Sequence, residues 1–500
     1  MPSPPVVSAD LIARLREDLR RAGYTVEGLG DVLGPVASAA LHRGQPLPAT
    51  RAAAGTAGGA AATLLRCFVL GLPVAPRDLE IALPRTGVGG LLELGLLHRP
   101  GGADLRAVCD LRPYGTEQET WWVASDLSEL ATGGPLPTDH VLGVGGASTT
   151  LASWTPRPRV GRALDLGTGC GVQALHLAGH TTERVATDLS DRALQFARFT
   201  LALNGVDADL RGGSLLDPVE GERFDLVVSN PPFVITPRRE DVPLYEYRDG
   251  GAAGDALVAG LVHDLAGHLE PGGVAQLLAN WELGAEEDWR DRVGGWVAGT
   301  GLDAWVVQRE VQDVAEYAET WARDGGHRPG TAAFEALYAA WLDDFAARDV
   351  ERVGFGVVTL HRPRTAREPW CDLVDVPHPV AAPMGPTILA GIEARTWLAE
   401  HDEDELLDVA WRVADDVTEE RVGRPGAPDP AVIQLRQGGG LRRVERLDTV
   451  GAGLVGACDG ELTARQLCSG LAVLTEVPVA DVTRSVLPLL RGLVADGLLV

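Results

Sequence analysis

Ala163-Leu164-Asp165-Leu166-Gly167-Thr168-Gly169-Cys170-Gly171-Val172 joins a short apolar run to a turn with glycine at every second position, and a helical stretch follows through Ala178. Such a run, ending on such a turn and entering a helix, reads as a buried strand of a parallel sheet. Glycine lets the backbone approach a ligand without a Cβ collision and admits positive φ, so the turn is a candidate ligand loop. Asp165, at the strand end, offers a carboxylate that can accept from an ammonium group. Asp165, Gly167, Thr168, Gly169 and Gly171 are therefore candidate cofactor-binding residues. A dinucleotide turn of the form Gly-x-Gly-x-x-Gly needs glycine at position 172, where Val172 stands. This ranks a nicotinamide cofactor, and an oxidoreductase with it, behind a ligand ending in a methionine-type amino acid.

Working outward, apolar runs at 162–165, 184–188, 224–228 and 273–278 alternate with helical segments between about residues 159 and 362. That alternation is the signature of a doubly wound α/β sheet, which places ligands where its strands end. Asp188 closes the second run about twenty residues after the glycine turn, where an acid accepts from both ribose hydroxyls. It also stands where it can cap the helix that begins near Ser190. With Leu189 beside it, Asp188 joins the cofactor set. The stretch Arg223-Phe-Asp225-Leu-Val-Val-Ser229-Asn230-Pro231-Pro232-Phe233 runs a strand into an amide, two stiffening prolines and an aromatic ring. The Asn230 side-chain oxygen and the Pro231 carbonyl can accept both hydrogens of an NH2 group, and Phe233 can stack on the planar system that bears it. Acceptors outside that plane favour pyramidal nitrogen and aim its lone pair at an electrophile, so no strong base is required. Asn230, Pro231, Pro232 and Phe233 are the candidate catalytic residues.

The order Asp165-x-Gly167-x-Gly169-x-Gly171, Asp188, Asn230-Pro-Pro-Phe233 resembles the class I S-adenosylmethionine-dependent methyltransferases that act on amino groups, over about residues 140–365. Tyr247-Arg-Asp-Gly250-Gly251-x-x-Gly254-Asp255 and Leu269-Glu-Pro-Gly272-Gly273 extend the likeness to HemK-like glutamine methyltransferases of release factors. Ribosomal RNA guanine-N2 methyltransferases of the small-domain group share much of it. The resemblance implies a Rossmann-like sheet and S-adenosyl-L-methionine as cofactor. It also implies adenine contacts from Ser214 and Leu215, and a second, cofactor-facing role for Asn230. Ser stands at 214 where the family usually has Asp, and Phe at 233 where glutamine methyltransferases usually have Tyr. The implied activity is N-methylation of a planar nitrogen, in a nucleic-acid base (guanine N2 or adenine N6) or in a protein glutamine. The competing class is a regulator or scaffold that holds the cofactor without catalysis and acts through its ends.

Three domains are expected. Residues 1–135 carry helical stretches at 10–21, 60–70, 76–83 and 88–94, then two extended stretches about a Pro-Gly-Gly turn, the order of a winged helix. Residues 140–365 hold the methyltransferase sheet. Residues 380–500 read as mainly helical, with a winged-helix-like fold as the alternative: an acidic helical stretch at 400–421, a Gly/Pro linker at 423–430, and helices at 447–455, 463–474 and 481–496. Tyr245, Tyr247 and Arg248, beside Gly250-Gly251, lie in either a substrate lid or a plain loop. Arg238-Arg239 faces either an anion or its neighbours Glu240 and Asp241.

The 500 residues are 45% hydrophobic and 23% charged, ordinary for a globular chain, and 44 arginines with no lysine oppose 70 acids for a net charge of −26. A polyanion is not steered to nucleic acid at long range, although residues 1–130 are nearly neutral, with 12 arginines and 14 acids. Six scattered cysteines lack metal-ligand spacing, so no metal and no disulfide is expected. No run is long and apolar enough for a bilayer and the start does not resemble a secretory signal, which together suggest a cytoplasmic protein without a membrane partner. RNA and a protein glutamine both remain as acceptors, and the oligomeric state is open.

Overall fold

The computed structural model describes residues 3–55, 59–116, 119–134, 136–240, 242–426 and 428–500. Its centre is an eight-stranded sheet. In chain order the strands are β1 (Val160–Leu166), β2 (Thr181–Asp188), β3 (Asp209–Gly212), β4 (Phe224–Ser229), β5 (Leu269–Leu283), β6 (Asp303–Asp313), β7 (Arg352–His361) and β8 (Cys371–Asp375). Across the sheet they lie in the order β8-β6-β7-β5-β4-β1-β2-β3. Pairing is parallel from β3 through β5, antiparallel on both sides of β7, and parallel again between β6 and β8. This is the Rossmann-like class I arrangement. Connections leave β1 toward β2 on one side and return to β4 on the other, so the crevice above β1 and β4 is the topological switch point.

Continuous apolar runs form these strands because both faces are covered. Leu164, Leu166, Val185 and Val227 belong to one buried layer, and Ala163, Leu226 and Val228 to the opposite one. The second layer includes Ile388 and Ile392 of the helix Gly385–Glu400, so a helix from the C-terminal part covers the central sheet. β5 runs well beyond the 273–278 run that sequence suggests. Its continuation holds polar Asn280 and Glu282, which break the apolar pattern but are paired: Asn280 donates to the Tyr317 hydroxyl at 2.9 Å, and Glu282 accepts from Arg348.

The N-terminal part is richer in helix than its sequence suggests. Besides Ala9–Arg21, it holds Val26–His42, which contains Gly28, Gly30, Gly34 and Pro35, and Pro46–Gly55; Gly34 leaves helical geometry (φ 66°) and kinks the chain before Pro35. Ala60–Leu64 continues into a wider turn at Leu65–Val69, and Pro76–Ala82 and Gly87–Glu93 follow. Leu97–His98 then pairs antiparallel with Arg106–Ala107, and a hairpin of Asp110–Gly115 and Thr120–Ser125 completes the part.

This part shares one core with the sheet's flanking helix Asp191–Asn204. Leu15, Leu19, Phe68, Trp121 and Trp122 lie in the same buried cluster as Phe196, Phe199 and Leu203. Polar bonds fix the joint. Arg16 donates to the Ala202 and Leu203 carbonyls, each at 2.7 Å, and Asn204 both accepts from the Trp122 amide at 3.0 Å and donates to its carbonyl at 2.8 Å.

The C-terminal part is mainly helical, with a small sheet that its sequence does not show. Helices Thr449–Gly456, Ala464–Thr475 and Val479–Ala495 are present, but they are preceded by a three-stranded antiparallel sheet of Val417–Val422, Val432–Gln437 and Val444–Leu447. Beyond Glu400, which ends the helix Gly385–Glu400, the acidic stretch 400–421 is helical only at Glu403–Leu407, behind a capping box of Asp402 and Glu405; the supposed linker 423–430, of which residue 427 lies outside the described residues, falls between the first two strands, which pair antiparallel. The acids mislead because the run Asp402–Glu405 does open a short helix, while Glu419 and Glu420 at the end of the stretch lie on the first strand, where Glu420 pairs across to Arg436 at 2.7 Å. Among the described residues no helix is long and apolar enough to cross a membrane.

Asn204→Ala is expected to cost about 1–3 kcal/mol, since it strands both backbone groups of Trp122 in the buried joint. Thermal unfolding followed at the tryptophans should show the lower midpoint as one transition; a separate early melting of the N-terminal part would contradict the shared core.

Candidate active site

At the switch point the structure has a cavity of about 720 Å³. Its floor is the turn after β1, whose glycines adopt φ of 74° (Gly167), 55° (Gly169) and 88° (Gly171), values that other residues rarely adopt. The amides of Gly167 and Thr168 both donate to the Thr187 carbonyl at 2.9 Å, which anchors the turn to the end of β2. A Cβ on Gly169 would meet nothing within 4 Å and would intrude on the open space, whereas a Cβ on Gly171 would come within 3.3 Å of Ala197 Cα. The first glycine keeps room for a ligand and the second allows close helix packing.

Asp165 is buried, and its Oδ2 accepts from the Thr168 hydroxyl at 2.6 Å and from the Ala174 amide at 2.9 Å. That oxygen is thus spent on joining the turn to the helix Val172–Leu177. Asp188 is half-buried; its Oδ2 accepts from the Gly169 amide at 2.8 Å and its Oδ1 from the Ser190 amide at 2.9 Å. Each oxygen makes one bond to the chain and retains lone-pair capacity toward the cavity. Asp188 therefore shapes the turn before its helix and still faces the ligand space. Leu189, 69% exposed, and Ser214 and Leu215 line the same cavity, the last with φ 45°.

Opposite the glycine turn, Ser229 donates to the Leu166 carbonyl at 2.8 Å and ties the ends of β4 and β1 together. Asn230, Pro231, Pro232 and Phe233 follow directly, and all four line the cavity. Asn230 Oδ1 is buried without a hydrogen-bond partner. An unpaired buried acceptor costs free energy unless a ligand supplies the donor. Phe233 meets Trp321 edge-on, with 6.3 Å between ring centroids.

The segment around Tyr245–Gly250 is folded down over this turn. Val234 donates to the Arg248 carbonyl at 2.9 Å, and Phe233 pairs with Asp249 in an isolated antiparallel bridge. Tyr247 and Arg248 reach the helix Val314–Asp324, bonding to Asp324 at 2.8 and 2.9 Å. Arg238 donates to the Ala252 carbonyl at 2.9 Å and Arg239 stands 4.0 Å from Asp343; of their neighbours, Asp241 lies outside the described residues.

Several lining residues carry no local sequence signal. Trp321 and Asp324 come from about ninety residues beyond Asn230, and the opposite wall is built by the segment that leaves the N-terminal hairpin. There Asp126 is buried, pairs with Arg192 and accepts from the Val141 amide at 2.9 Å, which holds His140 and Val141 against the cavity. Nothing in the sequence around Asp126 or His140 signals a binding role.

The walls carry Asp126, Asp188, Glu246, Asp249 and Asp324. Burial raises the carboxyls of Asp188 and Asp249 and lowers the His140 imidazole, so each of these groups is driven toward its neutral form. A cationic ligand would relieve the carboxylates. Among the described residues no cluster of His, Cys, Asp and Glu could hold a metal ion. Burial also pushes the Asp165 carboxyl up to about 7, against the Thr168 and Ala174 bonds that favour ionisation. Its folded value lies above the ordinary one of about 3.9, so its contribution to stability is complete below that ordinary value and is lost as pH rises through about 7. Asp165→Asn is thus expected to gain on the unaltered protein between pH 5 and pH 8. Chemical denaturation at the two pH values measures this, and an unchanged difference would remove the assignment.

The family model described as methyltransferase small domain matches residues 143–296. Two models of domains of unknown function, DUF7059 and DUF7782, match residues 21–108 and 390–500. Among curated proteins, the chain is 33% identical over 212 residues to ribosomal RNA small subunit methyltransferase C of Citrobacter koseri, covering 42% of this chain and 55% of that one. It is also 33% identical over 137 residues to the protein of the same name from Salmonella arizonae, covering 27% and 35%. The chain thus spans about half or less of these relatives. Among solved structures, the T. thermophilus 16S rRNA N2 G1207 methyltransferase, in complex with AdoMet and guanosine, aligns at 22% identity and a TM-score of 0.26, over 47% of this chain and 63% of that one. A methyltransferase from Pyrococcus furiosus aligns at 15% identity and a TM-score of 0.26, over 43% and 80%. With its sheet order, glycine turn and Asn-Pro-Pro-Phe turn around one cavity, the central part of this chain has the Rossmann-like fold of class I, S-adenosylmethionine-dependent methyltransferases, and its residues 143–296 match the methyltransferase small domain.

Proposed function

We propose that this chain is an S-adenosylmethionine-dependent N-methyltransferase acting on the exocyclic amino group of a guanine in ribosomal RNA, in the cytoplasm. The observation that carries the reading is the buried, unpartnered Oδ1 of Asn230, a residue that lines the same cavity as the glycine turn. A regulator that merely held the cofactor would gain nothing from leaving this acceptor unpaired. The names of the curated relatives favour RNA over a protein glutamine as acceptor.

The cavity fits the cofactor on its own features. The glycine turn leaves open space at Gly169, Asp188 retains acceptor capacity for a ribose, exposed Leu189 with Ser214 and Leu215 offers a surface for a flat ring, and the carboxylates suit a ligand bearing a sulfonium and an ammonium. When bound, S-adenosylmethionine supplies a methyl carbon that exchanges its bond to sulfur for one to the acceptor nitrogen, which gives up a proton. The chain's own part is to hold that nitrogen. Asn230 Oδ1 and the Pro231 carbonyl accept its two hydrogens outside the ring plane, the prolines keep these acceptors from turning away, and Phe233 supports the ring. No general base is assigned. Positioning and a fixed dipole are the means of catalysis.

The N-terminal elements from Ala60 to Ala107 follow a winged-helix-like order, but the third helix, Gly87–Glu93, contains only Gly, Val, Leu and Glu. Without a basic side chain it is a poor reader of phosphate. We assign this part the task of walling the cavity.

Labelled S-adenosylmethionine incubated with extract of cells lacking the protein should mark the RNA fraction, with the label recovered as N2-methylguanine. Label on protein glutamine would overturn the choice of acceptor. Asn230→Ala should lower transfer about a hundredfold or more while cofactor affinity changes little. Asp188→Ala should weaken cofactor binding about tenfold or more; calorimetry on both variants separates the roles.

A further inference from the structure

Arg248 is a buried cation with half of its guanidinium unused. Only 3% of its side chain is exposed, and its Nη1 donates to the Trp321 carbonyl at 2.8 Å and to Asp324 at 2.9 Å. Nε stands 3.6 Å from Asp249 Oδ1, beyond hydrogen-bond reach, and neither Nε nor Nη2 has a hydrogen-bond partner among the described residues. The group cannot readily turn away, because it lies 4.4 Å from the Tyr245 ring centroid and within 6 Å of those of Tyr247 and Trp321. Arg248 lines the cavity that Asn230 lines. So does Trp321, whose indole N–H is likewise buried and unpaired. The residues lining this part of the cavity therefore hold one buried unmet acceptor and three buried unmet donors, and leaving buried donors unpaired is costly.

The Nε and Nη2 edge of an arginine carries two parallel N–H groups in a rigid fork, which fits two adjacent acceptors pointing the same way. A phosphate or carboxylate could supply them, but Asp249 and Asp324 already flank this guanidinium, and a further anion would be repelled. A neutral pair of acceptors fits better. Guanine supplies O6 and N7 side by side, on the edge away from its amino group. Adenine places an amino donor beside N7, which the fork would repel, and a glutamine amide has a single carbonyl.

Resting on the guanine reading above, we infer that Arg248 is a specificity-determining residue that reads the O6 and N7 edge of the target base while Asn230 holds its amino group. The test uses the full-length protein with S-adenosylhomocysteine and titrates guanosine, 7-deazaguanosine and adenosine by ligand-observed NMR. Guanosine should bind about tenfold tighter than 7-deazaguanosine, which lacks the N7 acceptor, and adenosine should be weaker still. In Arg248→Lys, whose ammonium is a point donor rather than a fork, the ratio of guanosine to 7-deazaguanosine affinity should fall toward one. Equal affinities in the unaltered protein, no nucleoside binding at all, or the same ratio in Arg248→Lys would each overturn the inference. The comparison in the unaltered protein stands even if the variant folds poorly. If RNA is still labelled at guanine N2 while the nucleoside ratio is one, the role of Arg248 falls and the proposed activity remains; if RNA takes no label, both fall.

Discussion

Two carboxylates at the ends of neighbouring parallel strands hold the glycine turn in position, and the cavity depends on that clamp. Asp165 grips the turn from within through Thr168 and ties it to the following helix through Ala174; Asp188 grips it from the side through Gly169. The Thr187 carbonyl takes the two remaining amides at the front of the turn. All of this requires the register in which Leu166 lies opposite Thr187. A slip of one residue would send Asp188 to the other face of the sheet and leave the turn without its anchor. The clamp also explains why buried acids are tolerated here, since each is hydrogen-bonded to the backbone or side chain it organises.

The same clamp couples the cavity to the rest of the molecule. The helix that starts after Asp188 carries Phe196 and Phe199 into the N-terminal core, and Arg192 on it holds Asp126. One wall of the ligand space is therefore only as firm as the packing of Trp121 and Trp122. The N-terminal part is an element of the site's architecture, fixed by apolar burial where the chain's charge would give little cohesion.

The legible parts of the sequence were those in which local pattern and function coincide. β1, β2 and β4 are short apolar runs ending on Gly, Asp and Asn, and each terminal residue sits at the switch point for the same reason that the run is apolar: a strand buried on both faces has only its end free to meet a ligand. Helices 26–42 and 46–55 were not legible because glycine and proline within them signal a turn, a local preference that tertiary packing overrides. The C-terminal sheet was hidden because its first strand, Val417–Val422, closes an acidic stretch whose opening run at Asp402–Glu405 is a helix start and lends its pattern to the whole. Trp321 and Asp324 could not be linked to Asn230 because the sheet returns through β5 and β6 before that helix begins, and no local spacing encodes such a distant approach.

A chain with a net charge of −26 that is read as acting on RNA must obtain its selectivity from something other than phosphate attraction. Many of its arginines are already committed: Arg192 to Asp126, Arg292 to Asp255, Arg348 to Glu282 and Arg367 to Asp303. Phosphate contacts by these residues would have to break existing pairs, which moves part of the burden of recognition to the base. The cavity has the polarity this requires. Among the described residues, the unpaired buried atoms of its lining are two hydroxyls (Ser128 and Thr187), an amide oxygen, an indole N–H and the fork of an already neutralised guanidinium, a set that a hydrogen-bonding heterocycle suits better than a phosphate. On the proposed reading, the acidity of the surface thereby sharpens discrimination: an RNA that cannot place a guanine in the cavity gains almost nothing from the remainder of the protein.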